Sequence, residues 1–166
     1  MVNINKNMLK IQISPEKKVE DAMVVWHEQL PDVDLVIDSR YGLHFKPGSI
    51  KVIYIFNLLG ITPLEKIPTL LKNLVNLLEI GGELYIIEQD FDYICRAFLG
   101  GDLSVRELNQ DYNRTTFLNQ EEIVSFLERA GFPVKEQVWW QESPSFIKKN
   151  SEIIISGVKN KNQQYG

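Results

Sequence analysis

Three stretches of this 166-residue chain predict an α/β fold built on a mostly parallel sheet. Residues 50–59 are almost continuously apolar and rich in β-branched and aromatic side chains, the pattern of a strand covered on both faces. Residues 68–79 carry Leu70, Leu71, Leu74, Leu77 and Leu78 at helical spacing, and Gly81-Gly82 follow as a helix stop. Residues 83–88, ELYIIE, then read as the next strand. Strand, helix, Gly-Gly, strand is the repeating unit of a Rossmann-like sheet with helices on both faces. Two extended runs near the end of the chain, residues 134–140 and 152–159, add a C-terminal antiparallel hairpin.

The remaining elements follow in order. Residues 9–13 are a short apolar run suited to a first buried strand, and residues 22–26 (AMVVW) and 33–37 (VDLVI) supply two more. Ser14 followed by Pro15 has the composition of a helix N-cap and first helical position. Thr62-Pro63-Leu64-Glu65 reads as a capping box with proline at the first helical position. Pro68 falls too deep for one clean helix, so a short first turn and then a main helix over 68–79 are expected. Asn119 is the N-cap of a helix over 119–130, with Glu122 closing the box and Leu118 stapled against Ile123. Gly131 and Pro133 end it.

Composition narrows the function classes. An apolar content of 44% is ordinary for a globular core, and a formal charge of −4 provides no broad positive field for nucleic acid. Lys17-Lys18 and Lys148-Lys149 read as solvated surface. Cys95 has no internal disulfide partner, and with His27 and His44 as the only histidines no metal site is expected. The N-terminal MVNINKNMLK lacks a signal-peptide core and no run is long enough to span a bilayer. The expected location is therefore cytoplasmic, without membrane association. Residues 1–159 are expected to form a single domain, and residues 160–166 a disordered polar tail.

Several segments share a family pattern. Asp38-Ser39 lead through Leu43 and Phe45 to Pro47-Gly48-Ser49, and Glu79-Ile80-Gly81-Gly82 precede the 83–88 strand. Glu88-Gln89-Asp90-Phe91-Asp92 lead to Arg96-Ala97-Phe98-Leu99-Gly100, and the 119–132 segment ends in Ala130-Gly131-Phe132. Together these resemble the class I S-adenosylmethionine-dependent methyltransferases. More narrowly they resemble a small bacterial group of predicted methyltransferases associated with surface-sugar biosynthesis. The resemblance spans roughly residues 9–159, and it implies the class I methyltransferase fold with S-adenosylmethionine as cofactor.

The resemblance also implies a site, and three positions depart from it. The family's first strand ends in G-x-G, because glycine permits left-handed backbone and close approach to a ligand; here the chain reads Gln12-Ile13-Ser14-Pro15-Glu16. The acidic residue that usually holds the ribose falls near Trp26, with Glu28 as its nearest substitute. The polar H-x-L-E-H segment after the fourth strand is replaced by Asn57-Leu58-Leu59-Gly60-Ile61. The implied cofactor-binding set is Gln12, Ser14, Glu28, Asp38, Ser39 and Asn57. Within it Ser14 would lie near the methionine end, Glu28 at the ribose and Asp38 at the adenine. No catalytic base can be named.

Bland readings stand beside these. Glu28 serves equally as a loop carboxylate, and His44, beside Asp38 and Arg40, as a loop histidine. Glu88, Asp90 and Asp92 could bind a metal or move a proton, but a solvated loop is the more ordinary role for carboxylates. Trp139-Trp140 on a strand face opposite sides, one to the core and one outward. Residues 111–116 are a candidate lid. Two functions remain open. One is a divergent methyltransferase acting on a small molecule or sugar beyond Asn57 and Asp90. The other is a methyltransferase-like binding or structural module, without turnover, working beside a protein partner.

Overall fold

The computed structural model describes residues 10–15, 19–36, 45–102, 104–106, 116–132, 134–138 and 152–159. Its seven strands are β1 (Lys10–Ile13), β2 (Met23–Trp26), β3 (Leu35–Val36), β4 (Ile50–Phe56), β5 (Leu78–Gln89), β6 (Val134–Val138) and β7 (Glu152–Val158). They form one sheet in the order β3-β2-β1-β4-β5-β7-β6. β1 to β5 run parallel, while β7 is inserted antiparallel between β5 and β6. The expected mostly parallel sheet with a terminal antiparallel hairpin is thus observed. Three α-helices that lie wholly within the described residues accompany it: α1 (Ile67–Leu77), α2 (Phe91–Gly100) and α3 (Gln120–Arg129).

Register explains the core. Ile13, Ile55, Ile86 and Ile155 stand side by side on four neighbouring strands, and Ile11, Ile53 and Leu84 form the next row. All seven are nearly free of solvent and share one apolar cluster with Leu70, Leu71 and Leu74 of α1 and Ile123 and Leu127 of α3. Because side chains alternate along a strand, Gln12, Tyr54 and Tyr85 form a row on the opposite face. Tyr54 and Tyr85 stack at 5.0 Å, and burial raises the Tyr54 phenol above its usual range. Beyond them Phe56 and Ile87 make a second small cluster, against which Val19 packs.

Several local expectations are revised. The helix after β4 begins later than the Thr62 box implied: Thr62 Oγ1 donates to the Leu58 carbonyl at 2.7 Å instead of capping, and residues Leu64–Lys66 form a 3-10 turn. Pro68 is then within the first turn of α1, where its missing N–H has no partner to lose. α1 ends at Leu77, ahead of Gly81-Gly82, so the glycines do not stop it. They lie within β5, where Gly81 has a φ of 83°. β4 ends at Phe56 rather than reaching residue 59, since Leu59–Ile61 turn away as a 3-10 segment. The α3 capping box holds as expected: Asn119 Oδ1 accepts from Glu122 N, and Glu122 Oε2 accepts from Asn119 N, each at 3.0 Å.

The connections β1–β2 (residues 14–22) and β2–β3 (residues 27–34) contain no helix among the described residues. Both are shorter than the dozen or more residues a parallel crossover usually takes. Asp34 anchors the second, its Oδ2 accepting from Val24 N at 2.8 Å while its own N–H donates to the Val24 carbonyl at 3.0 Å. The helix anticipated from Ser14-Pro15 is not formed by those two residues, which make a bend. At the other end of the sheet, Lys159 Nζ donates to the Leu78 carbonyl at 2.8 Å just past α1, and burial lowers its pKa. Trp139-Trp140, the 111–115 part of the candidate lid, and the 160–166 tail lie outside the described residues. No described helix is long and apolar enough to cross a membrane.

Gly82 is the tightest position of this frame. A Cβ there would sit 2.9 Å from the Glu79 carbonyl oxygen, 3.0 Å from that of Lys51 and 3.2 Å from that of Ile50. All three are backbone atoms, so none can swing aside. Gly82→Ala is expected to cost about 1–3 kcal/mol as an overpacking substitution, lowering the midpoint of thermal unfolding by several degrees. An unchanged midpoint would mean β4 and β5 are not held at this spacing.

Candidate functional site

In an open α/β sheet, ligands lie outside the carboxyl ends of the strands, where neighbouring connections leave in opposite directions. Here that place lies between β1, whose connection leads to β2, and β4. Gln12 and Ser14 close the end of β1. Gln12 is 0% exposed and Ser14 1%; the Gln12 amide Nε2 donates to Ser14 Oγ, and Gln12 Oε1 accepts from Val19 N at 2.7 Å. One side chain therefore bridges the strand end and the returning loop, while Val19 packs on Phe56 and Ile87. Pro15, next in the chain, has no N–H to offer a ligand. No glycine precedes Gly42, so nothing before it relaxes the backbone as G-x-G would.

The end of β2 is apolar. Trp26, its last residue, is 6% exposed and belongs to the main core, with the His27 ring tilted against it at 4.7 Å. Glu28 lies two residues beyond the strand, its side chain 65% exposed, with Oε1 3.6 Å from His27 Nδ1. Asp38, Ser39 and His44 lie outside the described residues, as does Glu16. Of the six implied site residues, then, Gln12 and Ser14 are in mutual contact and Glu28 is paired with His27.

Asn57, the sixth, directly follows β4. Its φ of 53° makes it the one non-glycine residue in the left-handed region among those described. Its N–H donates to the Ile87 carbonyl at 2.8 Å. A side chain held in that region costs about 1–3 kcal/mol, and such strain concentrates at ligand clamps and active sites.

Sequence reasoning missed what lies beside it. Glu88 and Asp90 are 1% and 2% exposed, so neither belongs to a solvated loop; Asp92 alone of the three is exposed. Glu88 Oε1 accepts from Leu59 N at 2.6 Å and Oε2 faces Gly60 N at 3.3 Å. The carboxylate thus supplies acceptors to the turn leaving β4. Thr116 holds the same turn from the other side: its N–H donates to the Gly60 carbonyl at 3.0 Å and its Oγ1 to the Thr62 carbonyl at 2.6 Å. Asp90 caps α2, Oδ1 accepting from Asp92 N at 3.0 Å. The signal was present: Leu84, Ile86, Glu88 and Asp90 are spaced by two, so alternation places both carboxylates in line with core residues. No group of three or more acidic, His or Cys side chains suited to a metal occurs among the described residues.

Solved structures resemble this arrangement. An S-adenosylmethionine-dependent methyltransferase from Mesorhizobium loti matches 94% of this chain and 94% of its own at a TM-score of 0.64 and 10% identity. The Burkholderia thailandensis 1,6-didemethyltoxoflavin-N1-methyltransferase, with 1,6-didemethyltoxoflavin and S-adenosylhomocysteine bound, matches 92% of this chain and 72% of its own (TM-score 0.63, 12% identity). A chain of the Haloferax volcanii complex between the Trm112 methyltransferase activator and a methyltransferase matches 86% of this chain and 73% of its own (TM-score 0.60, 11% identity). No protein-family model and no curated protein sequence matches the chain. At these identities the likeness establishes architecture, and the architecture is the class I methyltransferase fold.

The Glu88 clamp is open to a direct test. Glu88→Ala leaves the Leu59 and Gly60 N–H groups buried without acceptors, and is expected to cost about 2–3 kcal/mol. Glu88→Gln retains one acceptor oxygen and should cost less. Denaturant midpoints for the two variants check this; equal midpoints for both and for the parent protein would dismiss the clamp.

Proposed function

We propose that this chain is a methyltransferase-fold binding module that does not turn over S-adenosylmethionine. The observation carrying the reading is the buried Gln12–Ser14 pair at the end of β1. A sulfonium donor needs that strand end open, with unclaimed backbone N–H groups near its carboxylate. Among the described residues, those at the strand end do not fit it. Two side chains take the space that paired glycines would leave, Gln12 Oε1 engages the Val19 N–H, and Pro15 has none. At β2 the residue facing a ribose would be Trp26, a core side chain without an acceptor oxygen. The Haloferax neighbour, solved in complex with an activator protein, supports by analogy a role beside a protein partner.

A second reading is an S-adenosylmethionine-dependent methyltransferase acting on a small molecule or sugar. The left-handed Asn57 favours it, together with the Burkholderia neighbour that binds S-adenosylhomocysteine and a small-molecule substrate. On that reading Ser14 lies near the methionine end, Glu28 at the ribose, Asp38 and Ser39 at the adenine, and Asn57 at the mouth.

Thermal melts with millimolar S-adenosylmethionine or S-adenosylhomocysteine decide between the two. A ligand at a hundredfold excess over its dissociation constant adds roughly 2.7 kcal/mol. At about 2–4 °C per kcal/mol for a domain of this size, a bound cofactor would raise the midpoint by roughly 5–10 °C. The binding-module reading expects no such rise, and a rise of that size would establish the second reading in its place.

A further inference from the structure

The two faces of the sheet are unequally covered. On one, α1 and α3 share an apolar cluster with Ile53 and Ile55 of β4, both 0% exposed. On the other, Tyr54 of the same strand is only partly buried, although β4 is the middle strand of seven. The cluster on that face consists of Phe56, Ile87, Val19, Tyr54 and Tyr85, and no described helix contributes to it. Parallel sheets ordinarily carry helices on both faces. Here the β1–β2 and β2–β3 connections, residues 14–22 and 27–34, are too short to supply them.

Charge on this face is arranged about β4. Register sets Lys10, Val52 and Glu83 level on β1, β4 and β5, and Gln12, Tyr54 and Tyr85 form the next row. Lys10 and Glu83 therefore stand one strand to either side of β4, about 4.8 Å each way. Alternation turns both to the face of Tyr54. Both act on the Tyr54 phenol, as does Asp21, the ion-pair partner of Lys10. Glu83 Oε2 accepts from the Tyr85 hydroxyl at 2.7 Å, beside the Tyr54–Tyr85 stack. A cation and an anion equidistant from one strand are self-complementary under a two-fold axis along that strand. The rotation brings Lys10 over Glu83 and Glu83 over Lys10. An axis across the strands at that level would bring like charges together instead.

We propose that this face is the contact surface of a homodimer, in which two copies stack sheet on sheet about a two-fold axis along β4. Stacked sheets lie about 10 Å apart with their strands nearly aligned, a gap that lysine, glutamate and tyrosine side chains from both copies fill. Tyr54 faces Tyr54 of the second copy at the centre, and two Lys10–Glu83 contacts flank it. Each Lys10 then lies between its own Asp21 and the second copy's carboxylate. Aromatic area at the centre with charge at the margin is the ordinary composition of a protein interface. The proposal goes beyond the binding-module reading and is independent of it, because it needs only the sheet and its register.

Sedimentation equilibrium of the full chain, from micromolar to near-millimolar concentration, tests it. The parent protein is expected to pass from one chain mass to two. Lys10→Glu and Glu83→Lys should each weaken association roughly tenfold or more, because each sets like charges face to face twice. Mixing the two variants should return association to the parent level, since every facing pair in the mixed dimer is again of opposite sign. The proposal is overturned by a parent protein that stays monomeric throughout, by variants that associate as the parent does, or by a mixture that fails to associate. Circular dichroism identifies a variant that does not fold. In that event Lys10→Gln and Glu83→Gln take their place; each should weaken association, and undiminished association overturns the proposal.

Discussion

Where parallel strands leave a sheet, their polar groups must find partners in buried surroundings, and that requirement organises the rest of this molecule. At the carboxyl edge Gln12, Ser14, Glu88 and Asp90 are nearly free of solvent, beside an isoleucine-rich face on which α1 and α3 pack. Water is excluded from much of it, so each N–H and carboxylate there needs an internal partner or weakens the fold by about 1–3 kcal/mol. Each strand end meets this differently. β1 uses the Gln12 amide as a bridge to Ser14 and Val19. β4 turns away through Asn57, and the turn is held between Glu88 and Thr116. β5 runs into α2, where Asp90 satisfies the helix with one oxygen and leaves the other unmatched.

These solutions bear on chemistry as well as stability. A backbone that binds a phosphate, carboxylate or sulfonium-bearing ligand must keep donors unused until the ligand arrives. At the β1 end the Val19 N–H is engaged by Gln12 Oε1 and Pro15 has none to offer, within an architecture shared with the Mesorhizobium and Burkholderia methyltransferases. Fold and reaction separate readily for this reason: the sheet depends on apolar rows such as Ile13–Ile55–Ile86, while donor binding depends on a few residues beyond them.

The short β1–β2 and β2–β3 connections fit the same picture. With residues 14–22 and 27–34 each too few for a helical crossover, side-chain hydrogen bonds do the work of a packed helix. Asp34 ties its loop to Val24, and Gln12 ties its loop to the strand beneath. Removing such a bond takes from a backbone N–H the acceptor it now has, so polar residues here act as structural elements.

Much of this architecture was legible in the chain itself. The nearly continuous apolar run at residues 50–56 and the ELYIIE segment at 83–88 read as strands, and Asn119 with Glu122 announced α3 through a capping box that needs four residues and no tertiary contact. The departure from G-x-G was equally visible, because glycine's backbone freedom is a property of the residue. Other features followed from three-dimensional proximity alone. Thr62 was read as a cap, yet its hydroxyl turned to Leu58 when the chain wound into a 3-10 turn. Gly81-Gly82 looked like a helix stop, yet the close approach of the Glu79, Lys51 and Ile50 carbonyls, two of them from the neighbouring strand, is what demands glycine at 82. Glu88 resembled a surface carboxylate, yet the partners that make its burial tolerable, Leu59 and Gly60, are roughly thirty residues away. Local sequence determines propensity, periodicity and turn chemistry, which act over a few residues. The pairing of buried polar groups is set by which distant segments the packed sheet brings together.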